Sequence, residues 1–272
     1  FIETTWAPDL ERLARVYPDY YSIGRGPGNL LAYGVFDTVT GGATKLLRRG
    51  RVEDGSTIVR TVDASAITEQ VAHSYYNDAT DNRHPSVGET VVQRPKPYAY
   101  SWLKAPRYND DVYELGPLAR MWVNGDYRRG ISVMDRHAAR MREAYKIAKA
   151  MLVWFDQLTL GATGYVNCTV PSASSSYGLT EAARGALGHW FTTSSGLITR
   201  YQVVTPTCWN GSPRDDAGVP AAIEQALIGT PIKNVAEPVE ALRVIHSFDP
   251  CLACAVHVMR PGEDRRVYAL GL

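Results

Sequence analysis

The chain has only four cysteines in 272 residues, and two of them, Cys168 and Cys208, stand alone and far apart. That is too few for the disulfide framework of a small secreted scaffold, and no cysteine set is present that could hold an iron-sulfur cluster. Net charge is almost absent as well, at a formal +1, which argues against nucleic acid or another polyanion as the partner. Long apolar runs are missing: the longest strictly apolar stretch, Ala150 to Phe155, falls far short of the roughly 20 residues that a membrane-crossing helix needs. There is no internal repeat and no low-complexity linker, and Phe1 to Ala7 has neither the basic start nor the apolar core of a signal peptide. A first residue that is Phe rather than Met reads as a start cut from something longer. What is present, 45% hydrophobic and 21% charged residues, is the composition of a globular protein, long enough for one large domain or two small ones.

The densest chemistry lies near the end, where Asp249, Pro250, Cys251, Cys254 and His257 put two thiols, an imidazole and a carboxylate into nine positions. Cysteines spaced C-x-x-C can turn both sulfurs toward one centre, and thiolates are soft donors suited to nickel, zinc or iron. Spacing alone leaves a redox dithiol, half a zinc site and a disulfide equally open. A structural zinc site needs a second ligand pair at a set distance, which the isolated Cys168 and Cys208 do not form. Haem attachment needs His directly after the second cysteine, where Ala255 stands. A thioredoxin-like pair would open a helix early in a βαβ unit, not close a chain of this kind. A metal centre remains, with Cys251 and Cys254 supplying some of the ligands and the rest coming from elsewhere.

Up to about Trp102 the sequence is rich in Gly, Pro, Asn, Asp and Tyr, which predicts loops, a short strand at Ser56 to Val62 and one modest helix near Ile67 to Tyr75. From Ile131 to Leu158 the apolar residues Met134, Ala138, Met141, Tyr145, Ala148, Leu152 and Phe155 recur at helical spacing, with Arg136, Arg140, Arg142 and Lys146 between them. This predicts a long amphipathic helix with a core-packing stripe and a solvated basic face. His189 to Thr193 and Leu197 to Val204, on either side of Ser194, Ser195 and Gly196, predict a β-hairpin. Thr205 to Gly218 is turn-rich and predicts an irregular loop, in which Arg214 and Asp215 fix the loop. Pro238 to Phe248 predicts a helix of about three turns that aims the thiols, with a sharp bend at Pro250. His73, His84, His137, His189 and His246 read as packed or hydrogen-bonded histidines. On local pattern alone Arg184 would pair a surface carboxylate, Thr207 would be a turn hydroxyl and Asp249 a helix-end residue.

Four stretches in order, Glu114-Leu-Gly-Pro-Leu-Ala-Arg120, Glu181-Ala-Ala-Arg-Gly-Ala-Leu-Gly-His-Trp190, Pro206-Thr-Cys-Trp-Asn-Gly-Ser-Pro-Arg-Asp215 and Asp249-Pro-Cys-Leu-Ala-Cys-Ala-Val-His257, resemble the large subunit of nickel-iron hydrogenases. Tyr100-Ser-Trp-Leu-Lys-Ala-Pro-Arg-Tyr108 looks like the respiratory, membrane-associated uptake type. The resemblance covers the family's carboxy-terminal half. It implies an α+β, predominantly helical fold with a long-helix core and peripheral β-hairpins, in which residues 1–257 are part of one large-subunit domain. Residues 258–272 would be an extension removed by a maturation endopeptidase that cuts after His257.

The resemblance further implies a nickel ion held by four cysteines and an iron carrying cyanide and carbon monoxide. Cys251 and Cys254 would be the second ligand pair, Cys254 bridging the metals. The first pair would come from an R-x-C-G-x-C motif that this chain does not contain. Arg184 would hang over the metals, Asp249 would orient it, and Thr207 would donate to an iron-bound cyanide. His257 and the Val203 carbonyl would bind a structural magnesium or iron ion. The implied partners are a small iron-sulfur subunit and a membrane cytochrome b, with no nucleic acid, and the implied location is the periplasmic face of the membrane. Two rival readings are a metal-free hydrogenase-like subunit of a quinone reductase complex and a non-catalytic thiol- or zinc-binding protein. Two positions depart from the family pattern. Ala183 stands where proline is usual, which loosens the wall beside Arg184, and Cys208 stands where threonine is common, as a thiol either prone to oxidation or buried and inert.

Overall fold

A computed structural model describes residues 1–38 and 44–251, together with the backbone of residues 255–258 and 266–269. In chain order the elements are α1 (Ala7–Val16), β1 (Leu30–Ala32), β2 (Val35–Asp37), β3 (Lys45–Leu47), β4 (Gly50–Val52), β5 (Ile67–Gln70), β6 (Ala105–Tyr108), α2 (Pro117–Asn124) and α3 (Val133–Asp156). They continue with β7 (Ala173–Ala182), β8 (Gly185–Ser194), β9 (Leu197–Val204), α4 (Pro206–Gly211), α5 (Ala222–Leu227), α6 (Val239–Ser247), β10 (Ala255–Val258) and β11 (Arg266–Ala269). Six α-helices and eleven strands among the described residues make the fold α+β, and the expected helical predominance is not found. The strands form four antiparallel pairs, β1 with β4, β2 with β3, β5 with β6 and β10 with β11, and one three-stranded sheet in the order β7, β8, β9.

Two hydrophobic clusters hold these elements. The first gathers Leu118, Met121 and Trp122 of α2, Val133, Met134 and Ala138 of α3, Leu30, Val52, Val244 and Phe248. The second gathers Leu31, Tyr33, Ile67, Tyr108, Tyr113 and Leu115 with Ala186, Trp190, Val204 and Trp209. The hairpin of β8 and β9 is therefore not peripheral, because its inward residues fill the second cluster. The segment Tyr113 to Leu118 crosses from one cluster to the other, and the candidate site lies along that seam.

The long helix forms as predicted, and the reason for its start is local. Ser132 caps α3 in a reciprocal box with Asp135, whose carboxylate also accepts from Tyr127 Oη at 2.6 Å. Its predicted faces need correcting in two places. Arg136 does not lie on a solvated face: it is 2% exposed and forms a bidentate pair with buried Glu114, Nε to Oε1 at 2.7 Å and Nη2 to Oε2 at 2.8 Å. Leu152 and Phe155, expected in the core, are 67% and 73% exposed. A 24-residue helix spans about 36 Å, and the first cluster covers only its amino-terminal part.

Three other expectations are overturned. Ile67 to Tyr75 is not a helix: Ile67 to Gln70 is β5, paired with β6 across nearly forty residues of chain. Ser56 to Val62 makes only a single bridge, Arg60 to Arg51. Thr205 to Gly218 is not wholly irregular, since Pro206, which lacks the N–H that a first turn would leave unpaired anyway, opens α4. The hairpin and α6 stand where they were expected. Asp215 does anchor its loop, through a buried pair with Arg107 Nε at 2.8 Å, whereas the Arg214 amide is held by Tyr100 Oη at 2.7 Å. His189 is hydrogen-bonded to Tyr201 Oη at 2.6 Å.

Candidate metal centre

Arg184 sits in the two-residue turn that joins β7 to β8, with Ala182 and Gly185 as the last paired residues. The turn is shaped from below by the Glu114 to Arg120 segment. Gly185 takes φ +137°, a conformation strained for any residue with a Cβ, and a Cβ there would lie 2.7 Å from Leu115 Cβ and 2.8 Å from the Gly116 amide. Gly116, at φ +120°, likewise brings its backbone against the Arg184 carbonyl. Buried Arg120 then clamps the turn, donating to the Ala182 carbonyl at 3.0 Å and the Ala183 carbonyl at 2.9 Å. Its remaining donors go to both oxygens of Glu143 at 2.6 Å and to Glu181 Oε2 at 2.7 Å.

Gly185→Ala is expected to destabilise the fold by roughly 1 to 3 kcal/mol through overpacking against Leu115. Gly178→Ala, on the same sheet with nothing within 4 Å of an added Cβ, is the control and should change stability by less than about 0.5 kcal/mol. Urea unfolding midpoints of the two variants test this, and equal midpoints would refute it.

The second wall is the end of α6. Phe248 and Asp249 close the helix by donating to the carbonyls of Ile245 at 3.1 Å and His246 at 3.0 Å. Asp249 has φ +52°, outside the right-handed region that a following proline disfavours. This turn carries Asp249 to Arg184: the Asp249 carbonyl accepts from Arg184 Nε at 2.7 Å, and Asp249 Oδ1 lies 3.5 Å from Arg184 Nη2. The expected carboxylate contact is therefore the looser of the two, and the backbone carbonyl holds the guanidinium. Two residues on, the Cys251 amide donates to Thr207 Oγ1 at 3.2 Å. Thr207 lies in the first turn of α4 and is buried, whereas Cys251 is an exposed free thiol. Four predicted residues, from three segments distant in sequence, are thus joined in two contacts.

Of the other predicted residues, Val203 lies on β9 opposite His189, four positions before Thr207. Cys254 lies outside the described residues, and of His257 only the backbone, in β10, is described. Cys208 resolves toward the inert reading: its thiol meets Thr205 Oγ1 at 3.1 Å, and burial pushes its proton affinity up, away from the reactive thiolate.

The residues present suit one end of a soft-metal site. Cys251 offers an exposed sulfur, a soft donor, two residues after the carbonyl that holds the Arg184 guanidinium. They do not complete it, because among the described residues no group of three His, Cys, Asp or Glu side chains could hold a metal ion. A groove of about 1170 Å³ between α3 and the β2–β3 pair lies elsewhere and holds none of these residues.

Sequence reasoning missed the buried ions that build the site, Glu114 with Arg136 and Glu143 with Arg120 and Glu181. Helical periodicity carries no signal for Arg136. The only hint was that Glu114 and Arg120 bracket the apolar, turn-prone Leu-Gly-Pro-Leu-Ala stretch.

A sequence profile of the family described as nickel-dependent hydrogenase matches residues 1–130 and 125–257. The chain is 38% identical to the periplasmic [NiFeSe] hydrogenase large subunit of Desulfomicrobium baculatum, over 98% of this chain and 57% of the relative. It is 33% identical to the uptake hydrogenase large subunit of Azotobacter chroococcum, over 96% of this chain and 54% of the relative. Among solved structures, a reduced, active form of the Ni-Fe-Se hydrogenase from Desulfomicrobium baculatum superposes with a TM-score of 0.86 at 37% identity, covering 92% of this chain and 56% of the other. The chain spans about half the length of the curated relatives it matches. Profile, relatives and fold agree with the four motifs read from the sequence, and the chain belongs to the nickel-dependent hydrogenase family.

Proposed function

We propose that this chain is the carboxy-terminal, nickel-binding part of a hydrogenase large subunit, which oxidises H2 reversibly and passes the electrons to a small iron-sulfur subunit. The observation that supports this best is that Arg184, Asp249, Thr207 and Cys251 come together from three separate segments through two hydrogen-bonded contacts, Arg184 with Asp249 and the Cys251 amide with Thr207. Cys251 and Cys254 would hold a nickel-iron pair whose iron carries cyanide and carbon monoxide, and the remaining thiolates would come from an R-x-C-G-x-C segment. When bound, that pair acts as a Lewis acid toward H2 and lets it split heterolytically.

The chain's own residues then do three things. Arg184, pinned by the Asp249 carbonyl, holds a fixed positive charge that would stabilise negative charge developing at the metals. Thr207 accepts from the Cys251 amide and so keeps its own proton free to donate toward a cyanide nitrogen. The α6 turn sets the direction of the Cys251 sulfur.

His257 and the Val203 carbonyl would hold a structural magnesium or iron ion. The β10–β11 pairing places His257 opposite Val267, so cleavage by an endopeptidase after His257 would part β11 from β10. A membrane cytochrome b would take the electrons at the periplasmic face. No helix among the described residues is long and apolar enough to cross a membrane.

The test is nickel content and H2 oxidation of the full large subunit purified with its small partner. Cys251→Ser should lower nickel at least tenfold with the complex still assembled. Full nickel occupancy in that variant would sink the reading.

A further inference from the structure

Arg140, on α3, has no part in the roles above. It is half-buried beneath the α6 end, where its Nη2 donates to the Ser247 carbonyl at 3.0 Å, two residues before Asp249. With Glu114, Arg136, Ser247 and Phe248 it lines a void of about 10 Å³, which holds no more than about one water. Charges face it from every packed element: Asp249 from the end of α6, Arg120 from α2, and Arg136 and Glu143 from α3 itself. Burial pulls its proton affinity down, while Asp249, and after it Glu143, favour the charged form. Its neighbour His137 adds no charge near neutral pH, since burial together with Arg140 and Arg136 pushes it down to about 4.

These groups form a chain of alternating sign that backbone carbonyls close. Arg184 meets Asp249, Asp249 faces Arg140, and Arg140 faces Glu143. Glu143 pairs with Arg120, and Arg120 holds the turn that carries Arg184. Arg136 cannot replace Arg140 in this chain, because Glu114, Gly24 and Ser247 already take its guanidinium.

We propose that Arg140 is a positioning residue of the metal centre: it fixes the Ser247 to Asp249 turn by hydrogen bond and charge, and so sets where Arg184 stands relative to Cys251. The guanidinium touches neither substrate nor metal ligand and acts through Asp249. This rests on the hydrogenase reading, and its test has one arm that does not.

In the complete complex, amide hydrogen exchange read by mass spectrometry reports the Phe248 and Asp249 amides, which donate to Ile245 and His246. Arg140→Met should speed their exchange at least tenfold, with the β5–β6 amides unchanged. H2/D+ exchange activity should fall about tenfold while nickel content stays within a factor of two. Arg140→Lys, which keeps the charge and one donor, should hold both readouts within about threefold of the parent. If Arg140→Met does not fold, the Lys variant decides: threefold supports the assignment, and a tenfold loss in either readout overturns it. A lowered melting temperature in Arg140→Met with H2/D+ exchange unchanged also overturns it, since that is the signature of a purely structural residue. Absence of nickel from the parent complex would strike the hydrogenase reading instead, and the amide arm would still test the hold of Arg140 on the turn.

Discussion

Arg184→Met is expected to lower H2/D+ exchange in the assembled enzyme by about 10²- to 10³-fold, the usual loss when one preorganised charge or donor is removed from a catalytic site. Its stability should scarcely change. The Arg184 and Asp249 side chains are 37% and 49% exposed and their charged atoms lie 3.5 Å apart, so the pair contributes about 1 kcal/mol or less. On the proposed function, a residue that adds little to the fold yet is held by a clamp at Ala182 and Ala183 and by a bond to the Asp249 carbonyl is placed for its charge. Arg184→Lys should recover only part of the rate, because an ammonium lacks the fork that reaches the carbonyl and carboxylate together. The measurements are isotope exchange and a thermal melt on each variant. A Met variant within threefold of the parent rate would sink the assignment, and so would a melting temperature lowered by more than about 10 °C, which would mark Arg184 as structural.

Arg136→Met has the opposite profile, a large loss of stability of about 3 to 5 kcal/mol, because Glu114 would be left as an unpaired buried charge. Both residues are almost fully buried and the pair is bidentate. The same guanidinium donates to the Gly24 carbonyl at 2.7 Å and lies 3.7 Å from the centroid of the Phe248 ring, next to Asp249. Removing it therefore unpins three segments at once. Glu114→Gln combined with Arg136→Met removes both charges and should regain at least half of the loss, as buried ion pairs replaced together generally do. Urea unfolding of the single and double variants measures this. A single-variant loss under about 1 kcal/mol would show that Glu114 finds another partner or admits water.

Elements whose formation is local could be read from the sequence. Ser132 and Asp135 cap α3 three residues apart, Ser195 and Gly196 sit at positive φ between β8 and β9, and Pro206 opens α4, though α4 itself was read as loop. Elements formed by distant pairing could not. Ile67 to Gln70 has apolar and polar residues compatible with either helix or strand, and it becomes β5 because Ala105 to Tyr108 lies alongside. Arg136 and Leu152 show the same limit for burial, since they sit on one helix yet exchange their expected environments. Where the neighbouring layers end decides which turns of a helix are covered, and periodicity within the helix says nothing about that.

By itself the sequence determined the chemistry on offer: soft donors at Cys251 and Cys254, a bend at Pro250, and four motifs in the order of the nickel-dependent hydrogenases. The tertiary structure decided which charges face inward and what they hold. Arg120, Arg136 and Arg140 were three basic residues among many, and packing made the first the clamp on the Arg184 turn and set the other two beneath the α6 end. The physical reason is that a buried charge survives only where an opposite charge or a carbonyl is delivered to it. Those partners come from segments 20 to more than 100 residues away, and only the folded chain brings them together.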